Sequence, residues 1–269
     1  MNSIVKMLHG KRRIILTHNT DLIRLLNCQY SHYFNLYLLN NADGEQNGFI
    51  PFNNKEKNML ISLKELLDAL RNDVPNSVQA QEQFLVSIIP FMRGYANIIN
   101  NTEWYDKLTQ VMHGYKNESV DIAGAYAALF GIQENLPDTY EVSVPDILRM
   151  TVGGVSLIDT DNYPILNKTL QHSFTYLFLR LLVEQKLVNK FNIDTAQNEQ
   201  LGKIISVAYP QSNDIEQMRN RARLTSKKTL INEFNHFEGN LSIFQPAIDI
   251  TDQALGRERT DIIAFVNAL

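Results

Sequence analysis

The longest helical pattern in the chain runs from Leu166 to Lys190, and its most apolar stretch, Tyr176 to Val183, is interrupted by Arg180. No other window comes nearer to the run of about 18 apolar residues that a bilayer crossing requires, so no transmembrane segment is expected. Hydrophobic residues make up 44% of 269 residues, which excludes a disordered chain and leaves enough to bury a sizeable core. The length fits a single domain over 1–269.

Charge and cysteine use narrow the function classes. Twenty-five Lys and Arg stand against 29 Asp and Glu, a formal net charge of −4, so a general nucleic-acid binder with a basic excess is not expected. The lone cysteine, Cys28, can form neither an internal disulfide nor a thiolate zinc site. Met1 to Arg13 is polar and basic, and only Ile14-Ile15-Leu16 follows, which is not a secretory signal. The expected location is the cytoplasm, or a host cell reached by export without a cleaved signal. Asparagine is used well above ordinary frequency, a bias typical of AT-rich genomes.

The elements read as mixed α/β with helices in the majority. Arg13–Thr17 has the β-branched character of a short strand, Asn19-Thr20-Asp21 starts a helix through Leu22, Ile23, Leu25 and Leu26, and Tyr33–Leu39 reads as a second strand closed by a turn over Asn40–Gly44. Together these make a βαβ-sized unit. A helical stretch of approximately 55–135 follows. It has an apolar stripe at Met59, Leu60, Leu63, Leu66, Leu67 and Leu70, a helix over Gln79–Ile99 broken at Pro90, and helices over Trp104–Tyr115 and Val120–Phe130. Tyr140–Val144 is extended or enters a helix with Pro145 in its first turn, and Gly153-Gly154 ends that helix. Strands are expected at Val155–Ile158, Ile204–Ala208 and Leu241–Phe244, with helices at Asp214–Phe234 and Thr260–Leu269.

The most informative run for chemistry is Pro145-Asp146-Ile147-Leu148-Arg149-Met150, then Gly153-Gly154, then Leu157-Ile158-Asp159-Thr160-Asp161. Carboxylates at i and i+2 beyond a strand end can both approach one divalent cation, and such hard oxygen ligands suit Mg²⁺ or Mn²⁺. A metal held there can neutralise a departing diphosphate. Asp146 and Arg149, three apart, share a helix face, and the glycine pair permits a tight turn behind them. The plainer reading makes Asp159 and Asp161 turn or cap residues and Asp146–Arg149 a surface pair.

This order resembles the Asp-x-Asp glycosyltransferases of the GT-A fold, and within them the bacterial toxin and effector branch that includes the clostridial glucosylating toxins. The resemblance implies a Rossmann-like nucleotide-sugar fold with a large helical insertion. Asp146 and Arg149 would then contact the donor sugar, and Asp159 and Asp161 would hold Mn²⁺ or Mg²⁺ and the UDP of a UDP-sugar donor. The implied activity is metal-dependent transfer of a hexose to a protein acceptor, possibly of a host, by a bacterial effector with a role in virulence. Pro145 replaces the family's usual small polar residue, and no tryptophan follows Ile14-Ile15-Leu16-Thr17-His18-Asn19, the only one being Trp104. The alternative is a non-enzymatic helical effector or adaptor that binds a partner protein.

Other motifs point elsewhere only faintly. His9, His18, His32, His113, His172 and His236 show no zinc-ligand spacing. His236-Phe237-Glu238-Gly239-Asn240 is similar to part of the Fic-type loop but lacks the following Gly-Arg, and Asn240–Ile243 faintly resembles a donor-site strand of the transferases. Arg219, Arg221, Arg223, Lys227 and Lys228 form a basic run on a helical stretch, expected as a solvated face or as an attraction site for phosphates or anionic membranes.

Overall fold

The computed structural model of the chain describes residues 14–17, 19–40, 48–74, 76–232 and 243–269. Among them the fold is helix-rich, with thirteen α-helices and only two small antiparallel ribbons. Helix α1 (Thr20–Tyr30) starts where expected, because the Asn19 side chain accepts the Leu22 amide at 2.9 Å. A hairpin follows, β1 (Tyr37–Asn40) with β2 (Gly48–Pro51), in a register that sets Leu39 opposite Phe49 and Leu38 opposite Ile50. Next come α2 (Asn54–Met59), α3 (Leu63–Asn72), α4 (Val78–Ser87), α5 (Ile89–Ile98) and α6 (Thr102–Gln110). A two-residue ribbon joins β3 (Val120–Asp121) to β4 (Glu141–Val142) and brackets α7 (Ile122–Phe130), and α8 (Val144–Arg149) follows.

The long helix is α9 (Pro164–Phe191), 28 residues and about 42 Å at 1.5 Å per residue. Proline occupies its first turn and Asn192, at φ 47°, ends it in the left-handed region. Glu56 caps it from α2, its Oε1 accepting the Ile165 and Leu166 amides at 2.7 and 3.0 Å. Along it pack α10 (Leu201–Ala208) and α11 (Ile215–Asn232) toward its C-terminal end, α12 (Gln245–Asp249) at its N-terminal half, and α13 (Asp252–Asn267). The first apolar core runs from Ile23 to Leu255 and takes in Phe174, Leu177 and Leu181 of α9. The second gathers Leu179, Val183 and Leu187 with Ile204, Ile205, Leu224 and Phe265. One helix therefore serves as the spine of both cores, which is why it is apolar on nearly every side.

Several expected elements differ. Among the described residues no parallel sheet is present, and β1 pairs with β2 by a hairpin instead of entering a βαβ unit. Residues 14–17 are irregular and exposed. Val155–Ile158 is not a strand: Leu157 and Ile158 are buried, but the Leu157 amide donates to the Asn167 side chain of α9 at 2.6 Å and not to a neighbouring strand. Ile204–Ala208 is helical, because Leu201, Ile204, Ile205 and Ala208 recur at helical spacing against α9. Ile243 and Phe244 form a buried turn. The closing helix begins at Asp252, capped by Thr251, eight residues before Thr260. His9, His18, His236, Asn41–Gly44 and Phe237–Ser242 lie outside the described residues. No described helix is long and apolar enough to cross a membrane.

Candidate functional site

The four nominated side chains sit in two places. On α8, both the backbone N–H and the hydroxyl of Ser143 donate to Asp146 Oδ2, the former at 2.9 Å, which ties the carboxylate back over the start of its own helix. Arg149 pairs with the other oxygen one turn on, and the two side chains remain 75% and 40% exposed for Arg and Asp. The Ser143 hydrogen bonds, with Arg149 behind them, hold the Asp146 carboxyl below its ordinary range. Gly153 and Gly154, both at positive φ, then reverse the chain, and Arg259 of α13 donates to Val152 O at 3.2 Å beside them.

The Asp-x-Asp pair forms the loop that feeds α9. Asp159 Oδ1 accepts the Asp161 amide at 3.0 Å and Oδ2 accepts from the Asn162 side chain, an Asx turn that holds this carboxyl below its ordinary range. Asn162 in turn accepts from Lys55 at 2.8 Å, and Asn53 donates to Asn162 O at 2.5 Å, fastening the loop to α2. Asp161 is exposed. Among the described residues no hydrogen bond or ion pair joins Asp146 or Arg149 to Asp159 or Asp161, and no group of three or more His, Cys, Asp or Glu is placed to hold a metal ion. Both Asp159 oxygens already carry local hydrogen bonds, so a cation at this pair would draw mainly on Asp161.

Polar clusters that the spacing did not single out lie along α9. His172 Nε2 is 2.5 Å from Asp252 Oδ1 and its Nδ1 is 3.0 Å from Pro246 O, while Lys168 pairs with the other Asp252 oxygen. Burial works against the Asp252 carboxylate, but the bonds from His172 and Lys168 outweigh it and hold the group down to about 2. One turn beyond the first core, Arg180 reaches Glu184 at 3.1 Å, and Glu184 also accepts the Gly114 amide at 2.8 Å, with His113 alongside. Both members are buried. The visible hint was Arg180 and Glu184 four apart inside an apolar run; nothing linked His172 to Asp252, eighty residues away.

The basic run on α11 is largely consumed inside the molecule. Arg221 donates to Tyr209 O at 2.9 Å, Arg223 pairs with Asp261 and stacks over Phe265, and Lys227 pairs with Glu258 and Asp261 of α13. The described members of this face are thus an internal interface, Arg219 alone being exposed with no bond of this kind among the described residues.

The described residues include two concavities. A recess of about 490 Å³ between α4 and the loop before β4 is lined by Glu82, Glu134, Pro137 and Tyr140. Burial, reinforced by the Glu82 and Asp146 charges, pushes the Tyr140 hydroxyl up to about 12. The larger is a groove of about 920 Å³ with no charged side chain among the described residues of its lining. One wall is the extended run Ile14–Thr17, the other is the hairpin with Tyr37, Leu39 and Phe49, and Leu38, Phe52 and Leu60 floor it. None of the four nominated residues lines either concavity. Comparison with protein-family models, with characterised proteins and with solved structures finds no match for this chain.

Proposed function

We propose that the chain is a non-enzymatic helical docking module, the adaptor reading, and that it attaches to its target through the apolar groove beside the hairpin. The observation that carries this is the side-chain inventory of that face. Ile14, Leu16, Tyr33, Leu39 and Phe49 are between 56% and 84% exposed and line one groove together, whereas other exposed apolar residues such as Ile132 and Ile215 lie outside it. A contiguous apolar face of this kind on a folded protein marks a contact surface.

The test is a photo-crosslinking side chain in place of Phe49, compared with the same side chain in place of Ile132, which is 86% exposed but outside the groove. In a cell extract or with membranes, discrete adducts are expected from position 49 and not from 132. Equal labelling at both, or none at 49, would overturn the docking reading.

The transferase reading rests on the sequence motif and on one geometric point in its favour: Asp146 and Arg149 are paired on α8, a single glycine turn from the loop that carries Asp159 and Asp161. It holds that a GT-A-type protein moves a hexose from a UDP-sugar to a protein acceptor with Mn²⁺ or Mg²⁺. Incubation with UDP-glucose and Mn²⁺ should then release UDP, and Asp159→Ala with Asp161→Ala should abolish the release in a variant that stays folded, as judged by circular dichroism. Release unaffected by both substitutions, or none with UDP-glucose, UDP-GlcNAc and GDP-sugars, would remove this reading.

A further inference from the structure

We infer that the open face formed by Ile14–Leu16 and the β1–β2 hairpin seats on an anionic lipid surface; the inference rests on the docking reading and names what is docked. Ile14, Ile15 and Leu16 are 84%, 54% and 77% exposed, and the groove behind them has no charged residue among its described lining. Tyr33, Tyr37 and Phe49 stand at its rim, 80%, 48% and 59% exposed, with Tyr37 and Phe49 in edge-to-face contact. Aromatic side chains of this amphipathic kind favour the headgroup level of a bilayer.

Charge decides between a bilayer and a protein partner. The thirteen residues before Ile14 carry Lys6, Lys11, Arg12 and Arg13 and no carboxylate, with Ile4, Val5, Met7 and Leu8 among them. Through Asn40 the only acid is Asp21, which is paired with Arg24 at 3.3 Å; the next two in sequence are Asp43 and Glu45. A chain of net charge −4 therefore concentrates cations directly beside its most exposed apolar run. Protein interfaces ring their apolar centre with hydrogen-bonding groups. Among the described residues this groove offers few: Thr17, Asn35, Thr251 and tyrosine hydroxyls. Apolar residues on one side and lysine and arginine beside them are the pattern of a segment lying in the plane of an anionic membrane.

The experiment is co-sedimentation of the full chain with phosphatidylcholine vesicles, with and without phosphatidylserine. Binding is expected only when phosphatidylserine is present, and rising salt should weaken it. Arg12→Gln with Arg13→Gln should weaken it by about fivefold per cation removed. Leu16→Asp with Phe49→Asp should cost at least ~10-fold through lost insertion, with an unchanged melting temperature because both sites are exposed. Arg221→Gln with Lys227→Gln, whose charges are used internally, should leave binding as it was. The inference is overturned if the chain ignores phosphatidylserine vesicles, or if the Leu16/Phe49 and Arg12/Arg13 variants bind like the parent. Adducts from position 49 to one protein, without vesicle binding, would overturn the bilayer and leave the docking reading standing.

Discussion

The α11–α13 side of the molecule and the hairpin side are opposites. On α11 the sequence offers a run of cations that looks made for an external anion, yet Arg223 and Lys227 find their carboxylates on α13 and Arg221 finds a carbonyl. On the hairpin side the sequence offers apolar residues that look made for a core, yet Ile14, Leu16, Leu39 and Phe49 face outward. On α11 most of the described charge is met by a neighbouring helix, and what the hairpin side leaves open is apolar surface. A binding face is therefore recognised by what the fold leaves unmet and not by residue type.

The contrast can be broken from the buried side first. Arg180→Ala strands the Glu184 carboxylate where neither side chain is more than 3% exposed, and should cost about 3–5 kcal/mol, read as a drop in the urea midpoint. A loss under ~1 kcal/mol would mean that the pair is not desolvated as drawn. Next comes the latch between α9 and α13. Asp252 is held at about 2, below its ordinary value near 3.8, so it contributes stability above about pH 4 that is lost as pH falls toward 2. Acid titration should show this loss, and Asp252→Asn should remove about 2 kcal/mol at neutral pH and flatten that limb of the profile. An unchanged acid limb in the variant would contradict the assignment.

Smaller effects sharpen the two faces against each other. Lys227→Ala and Arg223→Ala on the α11–α13 interface should cost no more than about 1 kcal/mol each, because these pairs are partly solvated. Phe49→Ser should change stability by less than ~0.5 kcal/mol, since the ring is 59% exposed, whereas Phe52→Ala in the floor of the same groove should cost about 3–5 kcal/mol. Chemical denaturation of the two phenylalanine variants side by side checks this; equal losses would place Phe49 in a core and remove the open face.

Local signals carried most of the helices. Asn19 marked the start of α1, Pro90 the break between α4 and α5, Pro145 the first turn of α8, and the absence of glycine or proline after Pro164 the length of α9. What failed was the reading of short β-rich runs. Ile204-Ile205-Ser206-Val207-Ala208 has strand composition, but packing against α9 rewards its helical spacing, a tertiary effect that a five-residue window does not contain. Leu157 and Ile158 are buried without a partner strand, the Leu157 amide being taken by Asn167. The residues proposed for a donor site also have local roles, Asp146 at a helix start and Asp159 in an Asx turn, and these roles use the same residue types as the chemistry expected of them. The groove was not legible because its walls come from residues 14–17, 33–39, 49–60 and 248–251, whose proximity only the fold creates.

Backbone hydrogen exchange on the intact chain, with and without phosphatidylserine vesicles, bears most directly on the contrast between the two sides. Amides of Tyr37–Leu39 and Phe49–Ile50 should slow in the presence of the vesicles, while those of Arg219–Ser226 should exchange as before. Slowing confined to Arg219–Ser226, or no change at either place, would contradict the account.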